Sequence, residues 1–148
     1  MGNSKKVIND LLVELFNDII HIEEKTLKNG GLSDLSVTEI HTIEAIGIYW
    51  PRTMSEVATD LKITVGTLTT AINKLIKKGY VERKRIEEDR RVVLINLTEK
   101  GKLVFELHEN FHKDMVNEVL SGLNESDERV LISSLERLNM FFKSKSKV

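Results

Sequence analysis

At 148 residues, with 41% hydrophobic and 30% charged side chains, the chain is long enough for one domain with a substantial core, and equally for a fold with an extended dimerisation arm. It has no cysteine, which excludes a disulfide framework, and MGNSKKVIND lacks the apolar run of a signal peptide or membrane span, so the expectation is a cytoplasmic protein with no membrane partner. A net charge of −1 excludes a uniformly basic nucleic-acid binder, but the charge is partitioned: residues 62–100 carry ten basic and five acidic side chains, against five and ten before them and seven and eight after.

Taken in order, Val7 to about Leu27 reads as an amphipathic helix, with Ile8, Leu11, Leu12, Leu15, Ile19 and Ile22 at helical spacing and Val7, Phe16 and Ile20 widening the stripe. A stripe that wide needs more than one neighbour. Asn29-Gly30-Gly31 breaks the helix. Ser36-Val37-Thr38-Glu39 is a capping box, flanked by Leu35 and Ile40 as a hydrophobic staple, that opens a second helix ending before Trp50-Pro51.

Thr53-Met-Ser-Glu56 is a further capping box and starts a short helix to about Asp60. Leu61-Lys62-Ile63 turns the chain, Thr64 caps the next helix, and Gly79 stops it after Lys78. On a 100° wheel Val65, Leu68, Ala71, Ile72, Leu75 and Ile76 take one side; Gly66, Thr67, Thr70, Asn73, Lys74 and Lys77 take the other. The polar side carries short donors, an amide and lysines, with no acid between Asp60 and Glu82. That set suits base edges in a major groove flanked by phosphates, although a plain solvated face has the same pattern. Tyr80 to Arg85 and Arg91 to Leu97 then read as two strands joined by the polar tip Ile86 to Arg90, a basic hairpin bearing Arg83, Lys84, Arg85, Arg90 and Arg91.

GYVERKRIEEDRRVVLINLT resembles the wing of the multiple-antibiotic-resistance regulator (MarR) family, whose Asp-x-Arg-x5-Leu-Thr pattern is matched by Asp89, Arg91, Leu97 and Thr98. The likeness follows element order along the whole chain. It implies a mainly helical fold with a small β wing: one MarR-type domain over residues 1–148, with a winged helix-turn-helix at 36–98 and dimerisation helices at 1–35 and 99–148. It also implies that Arg91 enters a minor groove, oriented by Asp89. The DNA-contact set expected is Thr67, Thr69, Thr70 and Asn73 on bases, Thr64, Lys74 and Lys77 on phosphates, and Arg83, Arg85, Arg90 and Arg91 from the wing.

Thr98 caps a long helix to about Leu120 bearing Leu103, Val104, Leu107, Phe111, Met115 and Val119. Asn124, with Asp127 three residues on, starts a last helix whose Val130, Leu131, Leu135, Leu138, Phe141 and Phe142 are too apolar for a solvated tail, and a lysine-serine tail follows. Apolar helices at both ends are economically buried against a second copy. A two-fold homodimer would place two reading helices about one DNA turn apart on a palindromic double-stranded operator.

His108-Glu109-Asn110-Phe111-His112 spells the His-Glu-x-x-His zinc-protease signature, so a metallohydrolase is an alternative of another class, although a helix already required for dimerisation implies no catalytic cleft and the expectation is a non-enzyme needing no cofactor. Within the MarR family two likenesses compete. Glu24, His41, His108 and His112 are similar to the primary site of the zinc-uptake repressors, which implies a regulatory zinc. LSVTEIHTIEAIG, ITVGTLTTAINKLIKKGYVER and EEDRRVVLINLTEKG are similar to the fatty-acid-synthesis repressors, which implies a long-chain acyl co-repressor delivered on acyl carrier protein. Such a chain needs an apolar tunnel; Ile19, Ile22, Leu32, Leu35, Ile43, Ile46, Phe105 and Phe111 are the candidates, and ordinary core is the competing role for each.

Overall fold

The computed structural model describes residues 2–32 and 34–146. Along them run helix α1 (Gly2–Asn29), α2 (Val37–Ile46), strand β1 (Arg52–Thr53), α3 (Met54–Leu61), α4 (Val65–Lys78), β2 (Val81–Arg85), β3 (Val93–Leu97), α5 (Glu99–Leu120) and α6 (Glu125–Ser146). This is the mainly helical fold with a small β wing expected from the sequence. Among the described residues no helix is long and apolar enough to cross a membrane.

The local signals act where they stand. Ser36 accepts from the Glu39 N–H at 3.2 Å while the Glu39 carboxylate accepts from the Ser36 N–H at 3.1 Å, a complete capping box. The box at Thr53 is half made: its hydroxyl accepts from the Glu56 N–H, but the Glu56 carboxylate accepts from that same hydroxyl at 3.0 Å and lies 3.7 Å from Arg52. Thr98 caps α5, accepting from the Gly101 N–H and donating to the Gly79 carbonyl at 2.6 Å. Asn124 and Asp127 cap α6 reciprocally.

Three features depart from expectation. β1 is a two-residue strand, too short for any periodicity to announce; it pairs antiparallel with β3 and completes the order β1-β3-β2. α1 starts at Gly2 rather than near Val7, and α6 continues through the lysine-serine tail to Ser146, since lysine and serine do not break a helix already under way. The wing strands are shorter than expected: Arg91 and Val92 lie in the tip, with the β2–β3 register running Val81↔Leu97 to Arg85↔Val93.

The chain divides into two compact units, one ending at Asn110 and the other beginning at Phe111. In the first, Ile40, Ile43 and Ile46 of α2, Val57 of α3, Leu68, Ile72 and Leu75 of α4, Tyr80, Ile95 and Val104 are closed from solvent. Each such aliphatic side chain contributes about 1.5–3 kcal/mol. Gly101 is where α5 crosses the strand segment: a Cβ there would overlap the Tyr80 carbonyl oxygen. By contrast the stripe of α1 remains open, with Leu11, Leu12, Leu15 and Phe16 44–66% exposed. The second unit separately exposes Val119, Val130, Leu135, Phe141 and Phe142.

Candidate nucleic-acid interface

α3, a turn and α4 form the helix-turn-helix. The turn depends on Lys62, the one non-glycine residue with positive φ among those described (φ 57°, ψ 42°), from which the chain leaves α3; Ile63 then donates to the Ala58 carbonyl. Thr64 caps α4, accepting from the Thr67 N–H at 3.1 Å and donating to the Thr67 hydroxyl at 2.9 Å. Leu68, Ile72 and Leu75 are fully buried, so Thr67, Thr70, Asn73, Lys74 and Lys77 are held outward on the opposite side. Val65, placed on the packed side by the wheel, is 44% exposed because it belongs to the first turn, ahead of the core. Thr69 is half-buried and its hydroxyl donates to the Val65 carbonyl at 2.8 Å, which sets it at the edge of the reading face rather than within it.

The wing is ordered from within. The Arg91 guanidinium donates to both carboxylate oxygens of Asp89, at 3.0 and 3.2 Å, and its backbone N–H donates to the same carboxylate at 3.1 Å. Those bonds, side-chain first, hold the Asp89 carboxyl below the usual carboxylate range. The Arg91 side chain is 90% exposed, so the clamp aims a cation into solvent without burying it. Arg85 donates to the Arg90 carbonyl at 2.8 Å and shapes the tip, and Arg90 itself is exposed. Arg83 donates to the Asn73 side-chain oxygen at 3.1 Å. This link between wing and reading helix joins residues ten apart in two different elements, which no local pattern could have shown.

The C-terminal end of α4 is fastened. Lys78 donates to both Glu39 oxygens at 2.9 and 3.0 Å and to the Asp34 carbonyl, while the Tyr80 hydroxyl donates to the Asp34 carboxylate at 2.6 Å. Tyr80 holds Asp34 below its ordinary pKa; at Glu39 burial pushes upward, and the bonds from Lys78 and Ser36 outweigh it. Burial, then the Asp34 bond, pushes the Tyr80 phenol up. Lys78 is therefore structural, while its neighbours Lys74 and Lys77 stay outward.

Three of the histidine-region residues converge in the first unit, and the carboxylate among them is Glu23, not the expected Glu24. Glu23 is buried and Glu24 exposed. Donor atoms of Glu23, His41 and His108 lie within 4.8 Å of one another: His108 Nε2 is 2.9 Å and His41 Nε2 3.7 Å from the Glu23 carboxylate, and His108 Nδ1 is 3.3 Å from Glu44. The signal was present in the sequence, since Ile19, Glu23 and Leu27 fall on one line at steps of four, whereas Glu24 turns 100° away. His112 belongs to the second unit, with its ring edge-on to Phe111 at 5.3 Å.

The eight acyl-tunnel candidates differ in burial, and five of them belong to or pack on one hydrophobic core. Leu32, Ile43, Ile46 and Phe105 are core, Leu35 packs on its margin, Ile19 is half-buried and Ile22 is 43% exposed; Phe111 is half-buried in the second unit. Ile46 and Phe105 also border an open cleft of about 400 Å³ between α2, β1, α3 and α5.

Residues 31–107, just over half of the chain, match the family described as transcriptional regulator SarA/Rot. The chain is 41% identical to Streptococcus pneumoniae FabT, whose crystal structure is in complex with DNA, over 95% of this chain and 98% of that one, with a TM-score of 0.84. It is 25% identical to a point mutant of Escherichia coli MarR complexed with operator DNA, covering 86% and 92% of the two chains at a TM-score of 0.58. The Bacillus subtilis transcriptional regulator PchR is 24% identical over 91% of this chain and 87% of its own length. The matched family and PchR are described as transcriptional regulators. A buried-on-one-side reading helix, a wing with its aspartate-arginine clamp and a family match across both place the chain among the SarA/Rot, MarR-like winged helix-turn-helix DNA-binding transcriptional regulators.

Proposed function

We propose that the protein is a homodimeric repressor that reads a palindromic double-stranded operator controlling fatty-acid synthesis genes, with a long-chain acyl group on acyl carrier protein as co-repressor. The observation that carries the DNA reading is the exposed, internally clamped Arg91, taken together with the outward polar face of α4, to which Arg83 links the wing. Thr67, Thr70 and Asn73 would meet base edges, with Thr69 at the margin; Thr64, Lys74 and Lys77 would hold phosphates; Arg83, Arg85 and Arg90 would follow the backbone and Arg91 the minor groove. The open apolar stripes of α1 and α6 supply the surface a second copy would bury. The fatty-acid assignment rests on likeness to FabT. The co-repressor would act by fixing the separation of the two reading helices.

The experiment is a gel-shift titration of a fatty-acid-synthesis promoter fragment and a scrambled duplex, with and without long-chain acyl carrier protein. Preference for the promoter, strengthened by the acylated carrier and not by the unacylated one, supports the assignment. Equal binding to both duplexes removes the operator claim, and indifference to the acyl group removes the co-repressor.

A zinc-dependent repressor is favoured by a different observation, the convergence of Glu23, His41 and His108. One carboxylate and two imidazoles are a fitting donor set for zinc. Bound zinc would tie α1, α2 and α5 together, and operator affinity would then follow metal. Untagged protein that purifies without zinc, and whose operator affinity ignores added zinc, ends this reading.

A further inference from the structure

The open cleft of about 400 Å³ has a lining opposite in character to the DNA face. Its floor is Ile46 and Phe105, 1% and 7% exposed. At its mouth stand Tyr49 and Trp50, 70% and 66% exposed, with ring centroids 6.0 Å apart. Two large rings left this open beside an apolar floor are a contact surface for a ligand. Its charge is one-sided: the carboxylates of Glu44, Glu56, Asp60 and Glu109 line it against the single guanidinium of Arg52; Glu56 and Asp60 are paired with that guanidinium and Glu44 lies 3.3 Å from His108, while Glu109 is exposed at the rim. Arg52 is also committed internally, donating at 2.7 Å both to the Ala45 carbonyl and to Asp60. Aromatic faces and carboxylates both attract cations, the first through the ring quadrupole and the second through charge. An anion, or the surface of an acidic carrier protein, is repelled by the same lining.

We propose that this cleft is a binding site for an organic cation with an apolar, ring-bearing body, the cationic centre held by the carboxylates and the body laid against Tyr49, Trp50 and Phe105. The volume suits a single drug-sized molecule. The cleft shares Ile46 and Phe105 with the acyl candidates and its Glu44 touches His108, but the proposal turns on Tyr49, Trp50 and Glu109, which neither the acyl nor the zinc assignment uses.

Trp50 is the sole tryptophan, so its fluorescence reports directly on the cleft. Full-length protein would be titrated with tetraphenylphosphonium and with tetraphenylborate, ions of matched shape and opposite charge. The expected result is a saturable change with the phosphonium at an affinity at least about tenfold above that of the borate, weakening several-fold when salt is raised from about 20 to 200 mM. Glu109→Gln, at an exposed position, should weaken phosphonium binding about three- to tenfold, and Tyr49→Ala about threefold, with circular dichroism unchanged. Equal responses to the two ions would reduce the cleft to an unselective apolar patch and overturn the proposal. Salt-independent phosphonium binding by the unaltered protein would overturn it as well, whether or not the variants fold.

Discussion

Replacing Arg91 with alanine separates binding from folding. The guanidinium is 90% exposed and its bonds are to Asp89, two residues away in the same tip, so its loss removes an exposed pair whose contribution to stability is near the noise. Thermal unfolding should be unchanged. On the proposed placement in a minor groove, the loss on DNA would be one inserted cation per protomer and two per palindrome. The slope of log affinity against log salt should therefore fall in magnitude by about 0.9 for each, about 1.8 for the dimer. A minor-groove arginine carries enough free energy that operator affinity should drop on the order of ten- to a hundredfold. Asp89→Asn keeps the cation and loosens its aim, so it should cost several-fold in affinity with the slope retained. Fluorescence anisotropy of a labelled operator at four or five salt concentrations reads both quantities. An Arg91→Ala protein with the parental slope would refute the placement of this side chain on DNA.

Other consequences follow from the packing. Gly101→Ala forces a methyl onto the Tyr80 carbonyl and should cost about 1–3 kcal/mol in a denaturant melt; an unchanged midpoint would mean that α5 can shift freely. Ile72→Ala at the fully buried centre of α4 should cost about 2–5 kcal/mol, with operator binding recovered on cooling if the fold is recovered. Asp34 and Glu39 have folded pKa values held below the ordinary carboxylate value of about 4, so the stability they contribute is present above that pH and is lost as pH falls through the folded values. Melting temperature should accordingly decline in acid, and Asp34→Asn should flatten that decline; an identical acid profile in the variant would show that the Asp34 carboxyl bonded to Tyr80 is not what titrates.

The parts of this molecule that could be read in the sequence are those whose cause is local. Ser36 with Glu39, Thr64 before Val65, Gly79 after Lys78 and Thr98 before Glu99 each act on backbone groups within a turn of themselves, and each does so in the structure. The aspartate-arginine clamp is equally local, two residues apart. What escaped depends on contacts between distant segments: β1 exists because β3 lies beside it, Asn73 is oriented by Arg83, and Lys78 is withdrawn from the DNA face by Glu39, which is 39 residues earlier. The choice of Glu23 over Glu24 is intermediate. Helical phase determines it, but the family likeness points to the neighbouring carboxylate instead.

On α4 the side chains sealed in the core and those that face outward share no position. Leu68, Ile72 and Leu75 are sealed in the core, the end is tied down by Lys78, and Thr67, Thr70, Lys74 and Lys77 stand apart from that scaffold. If these outer residues read the operator as proposed, its preference would drift by single substitutions there at almost no cost in foldability. Duplicated genes for such a chain would be free to acquire new target sequences while inheriting an intact frame.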